Sequence, residues 1–115
     1  KRIILMGSIS GLKFLEVANP GYSLAKGMLN PLAQLLAVEM AENKCTVNVL
    51  APGFVPVGIN DGVPERKQLA LAGLTPSGVL TQPFNISQAI TFLLSNESSQ
   101  INGTTLTLDG GFIKI

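Results

Sequence analysis

Apolar residues in this chain fall into short runs and one broad stripe. Residues 3–6, Ile-Ile-Leu-Met, are continuously apolar. Buried parallel strands read that way, because helices cover both of their faces, so a strand is predicted over 2–6. It stops at Gly7-Ser8, with Ser10-Gly11 just beyond. Asn19-Pro20-Gly21 is a turn cluster that delivers the chain into a helix. From about 21 to 43 the period becomes helical. Ala25, Leu29, Leu32, Leu36 and Met40 form a stripe, Met28 and Leu35 widen it, and Ser23, Asn30 and Gln34 mark the polar side. So wide an apolar arc calls for two partners, one of them a sheet. Pro31 lacks an N–H and crowds the carbonyl of residue 27, which predicts a kink near Gly27. Glu39 falls inside the apolar arc and calls for a partner of its own.

Residues 46–50, Thr-Val-Asn-Val-Leu, are short and β-branched and predict a second strand. A strand, a long helix and another strand make a parallel βαβ unit. Ala51-Pro52-Gly53 ends the second strand. Residues 56–82 are broken by Pro56, Gly58, Gly62, Pro64, Gly73, Pro76 and Gly78, leaving room for one short helix over 65–72. A stretch this long and irregular in a compact domain points to a functional segment, here a lid or substrate loop. Pro83 opens a further helix, as proline favours the first turn, with Ile86, Ala89, Ile90, Leu93 and Leu94 as its buried face. A last strand is predicted over 104–108, followed by Asp109-Gly110-Gly111 and an apolar tail.

Composition sharpens this picture. The 115 residues suit one modest domain or part of one, and 46% apolar with 13% charged is oily for that size. Elements buried on both faces, or facing absent partners, account for such a balance. With a net charge of +1 and no basic run, nucleic acid and acidic membrane surfaces are poor partners. No apolar run is long enough for a transmembrane helix. The single cysteine, Cys45, allows no intrachain disulfide and fits a reducing, cytoplasmic setting. With no histidine, the common zinc and histidine-based catalytic arrangements are closed, and no metal site is expected. The chain opens on Lys1 without a methionine, which suggests a missing N-terminal part.

The candidate chemistry centres on Tyr22-Ser-Leu-Ala-Lys26. Residues four apart sit one above the other on a helix face. A free phenol keeps its proton to about pH 10, and a nearby cation favours its anion. The pair can therefore serve as a general acid/base. On spacing alone, a surface tyrosine near a solvated lysine is the commoner arrangement. Ser8 lies just past the carboxyl end of the first strand, where open α/β sheets place their ligands. Read alone it is an ordinary turn serine, and Ser10 competes with it. Gly53, past the end of the second strand, lets a backbone approach closely.

Taken together, Ser8-Ile-Ser-Gly11, Tyr22-x-x-x-Lys26, Val47-Asn-Val-Leu-Ala-Pro52-Gly53 and Ile101-Asn-Gly103 through Asp109-Gly-Gly111 resemble the second half of a classical short-chain dehydrogenase/reductase. The resemblance runs from residue 2 to about 112. It implies an α/β fold: the second half of a Rossmann-type doubly wound parallel sheet, three strands with flanking helices, the N-terminal half absent. Residues 1–115 are then the C-terminal part of one nucleotide-binding domain, with 56–82 as the substrate segment. It implies hydride transfer between NAD or NADP and a small carbonyl or alcohol substrate. Tyr22 would be the acid/base and would also contact the cofactor. Lys26 would support Tyr22 and bind the nicotinamide ribose, and Ser8 would orient the substrate oxygen. Pro52, Gly53 and Val55 would meet the nicotinamide. It also implies a homo-oligomer, a dimer or tetramer, packed through the long helix and the tail.

The chain departs from the family pattern in places. Val57 stands where members often carry a phosphate-contacting threonine, and Pro76-Ser-Gly-Val79 lacks the arginine of Pro-Leu-Gly-Arg. No glycine-rich turn between a strand and a helix occurs, nor the Asn-Asn-Ala-Gly motif. The acidic or basic residue that selects NAD over NADP belongs to the absent half. Two alternatives compete: an extended relative of the sugar-nucleotide epimerase type, which shares Tyr-x-x-x-Lys, and a non-catalytic fragment that serves in assembly.

Overall fold

The computed structural model describes residues 1–16 and 18–114. Three strands run parallel and lie side by side in chain order: β1 (Arg2–Met6), β2 (Thr46–Pro52) and β3 (Thr105–Leu108). Ile4 pairs with Asn48 and Leu5 with Val49, while Leu50 pairs with Leu106. β2 is hydrogen-bonded on both sides and buried at all 7 of its residues. That is why it reads as nearly unbroken apolar sequence.

The helix predicted over 21–43 is two helices and a turn. α1 spans Pro20–Gly27, α2 spans Leu29–Glu39, and a 3-10 turn at Ala41–Asn43 ends at Lys44 in the left-handed region (φ 50°). The break falls at Met28, one residue past the predicted kink, with Pro31 in the first turn of α2 as its cause. Met28 N–H still reaches the Leu24 carbonyl at 3.0 Å.

The buried face also differs from the predicted stripe. Ala33 and Ala37 are the residues of α2 that enter the core, packing on Val47 and Val49, with Leu29, Leu36, Met40, Ile3 and Leu5 around them. Ala25 and Leu32 face solvent instead. The physical reason is close approach: two alanines let the helix sit nearer the sheet than a leucine ridge would. Asn30, predicted on the polar side, turns inward. Its Oδ1 accepts from Thr105 Oγ1 at 2.9 Å, and its Nδ2 donates to the Gly11 carbonyl at 3.4 Å. Leu24, Met28, Leu35 and Val38 are left outside, more than half exposed, and Glu39 is exposed beside them rather than held in the arc.

Side chains alternate along a strand, so Asn48 and Leu50 point away from α2. α4 (Pro83–Leu94) contacts β1 and β2 and supplies buried Leu93 to that side, while Leu94 stays exposed. Paired asparagine bonds lock the entry to β3. Asn48 Nδ2 donates to the Ile101 carbonyl and its Oδ1 accepts Thr104 N–H, at 2.8 and 3.1 Å. Asn102 Oδ1 accepts Val47 N–H at 2.8 Å. Within 56–82, α3 (Glu65–Gly73) forms where a short helix is predicted, and it buries no side chain.

Candidate active site at the carboxyl ends of the strands

Each predicted chemical group is placed by local backbone chemistry. Gly7 N–H extends the strand ladder to the Leu50 carbonyl at 2.8 Å, carrying the chain straight to Ser8. Ser8 Oγ then accepts Ser10 N–H at 3.2 Å and caps the 3-10 turn Ile9–Gly11. That bond uses an acceptor site of the hydroxyl, and its O–H has no acceptor among the described residues. Ser10 lines the same cavity, so both serine candidates are present at the site.

α1 starts with a strong cap. Asn19 Oδ1 accepts Gly21 and Tyr22 N–H at 2.8 and 3.3 Å, and Pro20 fills the first helical position. Tyr22 is therefore fixed in the first turn. α1 rests on the 3-10 turn through a glycine pair. A Cβ at Gly11 would lie 2.6 Å from the Gly27 nitrogen and 2.6 Å from the Lys26 carbonyl carbon. Backbone meets backbone there, so the turn bearing Ser8 and the helix bearing Tyr22 are in direct contact.

Lys26 Nζ lies 5.7 Å from the centroid of the Tyr22 ring and donates to the Met6 carbonyl at 2.8 Å. The first distance is a cation–π contact. The second ties α1 to the end of β1. An ammonium has three donors, so this bond leaves capacity for other acceptors. The Tyr22 hydroxyl has no hydrogen-bond partner among the described residues.

A cavity of about 400 Å³ opens beside these groups. Ser8, Ser10, Asn19 and Tyr22 line one part of it, and Ile9, Leu15, Phe54, Val63, Leu71 and Phe112 make it largely apolar. Gly53 lies on its wall. Within this chain its missing side chain is explained by Asp109, whose Cα and Cβ would be 3.0 Å from a Cβ there. Pro52 closes β2, opposite Leu108, and is not part of the lining. Val55 lies just outside. Its carbonyl already accepts Val57 N–H at 2.9 Å and Asn60 Nδ2 at 2.8 Å, while its N–H has no partner among the described residues. A neighbouring depression of about 320 Å³, lined by Ser77, Asn85, Thr107 and Gly110 among others, holds none of Ser8, Tyr22 and Lys26.

Two charged lining residues, Asp109 and Lys67, receive no role from sequence reasoning. Asp109 is buried, and its two oxygens accept Gly111 and Ile113 N–H at 2.9 and 3.0 Å. The acidic residue before two glycines is the signal for it. Lys67, on α3, also lines the cavity. In the run Glu65-Arg66-Lys67 it looks like any solvated helix residue. Among the described residues no cluster of His, Cys, Asp and Glu could hold a metal ion, and no helix is long and apolar enough to cross a membrane.

A parallel sheet with a half-buried Tyr–Lys helix turn and a serine at its carboxyl edge defines the class. A family model described as enoyl-(acyl carrier protein) reductase matches residues 1–113, and the chain belongs to the short-chain dehydrogenase/reductase family. It is 35% identical over 117 residues to a 3-oxoacyl-[acyl-carrier-protein] reductase of Rickettsia bellii, covering 99% of this chain and 47% of that protein. A 3-oxoacyl-[acyl-carrier protein] reductase from Brucella melitensis with bound NAD superposes with TM-score 0.85 at 26% identity, covering 97% of this chain and 41% of that one. A gluconate 5-dehydrogenase from Burkholderia cenocepacia, in complex with NADP and tartrate, gives TM-score 0.86 at 28% identity, covering 99% and 45%. The chain thus spans about half the length of the curated relatives it matches. Its sheet and flanking helices are the second half of their Rossmann-type fold.

Proposed function

We propose that the intact protein carrying this chain is an NAD(P)-dependent oxidoreductase acting on a carbonyl or alcohol substrate. One observation carries the reading. Tyr22, with the Lys26 ammonium 5.7 Å from its ring centroid, lines the same cavity as Ser8 at the carboxyl end of the parallel sheet. The relatives crystallised with NAD and with NADP support a nicotinamide cofactor of either kind.

The residues present fit the nicotinamide end of such a cofactor. Lys26 keeps donors for ribose hydroxyls after its bond to Met6, the Val55 N–H has no partner among the described residues, and Gly53 lies on the cavity wall. The nicotinamide supplies or takes up a hydride when bound. Ser8 donates its O–H to the substrate oxygen and holds it beside Tyr22. Tyr22 passes its phenolic proton to that oxygen in reduction and takes it back in oxidation. The Lys26 charge favours the phenolate left behind. The apolar lining excludes water and strengthens these polar contacts. We further propose that residues 1–115 form the C-terminal part of one nucleotide-binding domain whose other half supplies the diphosphate grip. Residues 56–82 act as its substrate lid. The outer apolar face of α1 and α2, at Leu24, Met28, Leu35 and Val38, suits a second copy in a dimer or tetramer.

Tyr22→Phe in the intact protein tests the mechanism by the absorbance of NADH and NADPH over a panel of ketones. Turnover should fall by about 10²- to 10⁴-fold with circular dichroism unchanged. Turnover within a few-fold of wild type overturns the reading.

A further inference from the structure

Two charged side chains line the cavity, and they differ in what holds them. Asp109 spends both carboxylate oxygens on backbone N–H groups of Gly111 and Ile113. Lys67 makes no ion pair among the described residues. It stands on α3, in a segment separate in sequence from β1 and α1, which carry Ser8 and Tyr22 to the cavity. Between these groups the wall is mostly apolar, with Ile9, Phe54, Val63, Leu71 and Phe112. A polyhydroxylated substrate would leave hydroxyls unpaired against such a wall, at a cost for each. A substrate with an apolar body would not.

We propose that Lys67 is a specificity-determining residue for an anionic group on the substrate. The substrate class is then a ketone or secondary alcohol with an apolar body and a carboxylate, or another anion, remote from the reacting carbon. The inference rests on the oxidoreductase reading and adds to it. Ser8 and Tyr22 take the carbonyl end, the apolar wall takes the body, and the Lys67 ammonium takes the anion. Lys67 is exposed in this chain, so solvent screens the attraction and its effect is modest. It acts in binding alone and so changes KM rather than kcat.

The test uses the intact protein and ketones in matched pairs, such as para-acetylbenzoate and its neutral amide para-acetylbenzamide, together with the corresponding alcohols. The expected result is a preference for the carboxylate member that weakens as salt is added. Lys67→Met should lower kcat/KM for the carboxylate about three- to tenfold, through KM, and leave the amide unchanged. Lys67→Arg should keep most of the preference. Equal handling of both members by wild type, or an equal loss on both in Lys67→Met, overturns the inference. Turnover of the amide that depends on Tyr22 but shows no charge preference sinks this inference alone. No turnover of any matched pair in a broad panel of ketones and alcohols with NADH or NADPH, in either direction, sinks the oxidoreductase reading, and this one with it.

Discussion

The sheet with α2 and the segment 56–82 follow opposite building rules. β2 is buried at every one of its 7 residues, with ladders on both sides, and α2 adds two buried alanines. α3, only a little shorter than α2, buries nothing, and Leu69 and Leu74 on and beside it are about two-thirds exposed. The groups assigned to proton transfer are tied to the dense region: Ser8 follows β1, and α1, which itself buries no side chain, is fastened to the end of β1 by the Gly11–Gly27 contact and the bond from Lys26 to Met6. Lys67, the group assigned to choosing a substrate, hangs from the sparse one. Proton transfer needs atoms held to fractions of an ångström, which dense packing provides. Binding varied substrates tolerates a looser support, and low packing density marks regions that open at little cost.

The largest expected contrast is in stability. Leu50→Ala removes a fully buried side chain from β2 and should cost about 2–5 kcal/mol. Leu69→Ala on α3 should stay within about 0.5 kcal/mol. Urea unfolding of the intact protein measures both, and comparable losses would break the comparison. Next comes the glycine contact. Gly11→Ala puts a Cβ 2.6 Å from backbone atoms of Gly27 and Lys26, so the turn and α1 must separate. We expect a loss of about 1–3 kcal/mol from overpacking, with kcat falling more than KM rises. A variant with wild-type kcat would show that the Ser8–Tyr22 spacing does not depend on this contact. The smallest effect has the opposite sign. Gly73 ends α3 with open space around it and no positive φ. Gly73→Ala should stabilise the protein by about 0.4–1 kcal/mol, seen as a small rise in Tm. Destabilisation there would mean that α3 packs more tightly than its exposure indicates.

The dense region was the easier one to read from sequence, with an instructive exception. Strands announce themselves through β-branched and continuous apolar runs, and all three lie within about two residues of their predicted bounds. The orientation of α2 was not legible. Its sequence is apolar on two sides, and hydropathy alone does not say which side meets the sheet. Small size decided it, through Ala33 and Ala37, and so did the hydrogen bond between Asn30 and Thr105, residues 75 apart in sequence. For the site, the Tyr22–Lys26 contact follows from helix spacing, because both partners are local. Lys67 could not be found the same way. Its place at the cavity depends on how a loosely packed segment folds across the strand ends, which no local pattern encodes.

The bond from Lys26 to the Met6 carbonyl has an experimental consequence. On the proposed mechanism the same ammonium that fastens α1 to the end of β1 also serves as counter-charge to Tyr22. Trimming or neutralising it frees a strand tip and a helix together, so the damage registers as looseness and as lost chemistry at once. Tyr22→Phe differs from wild type by a single oxygen and leaves the fastener in place. Mutagenesis at position 22 therefore tests the proposed reaction by itself, while mutagenesis at position 26 also disturbs the joint.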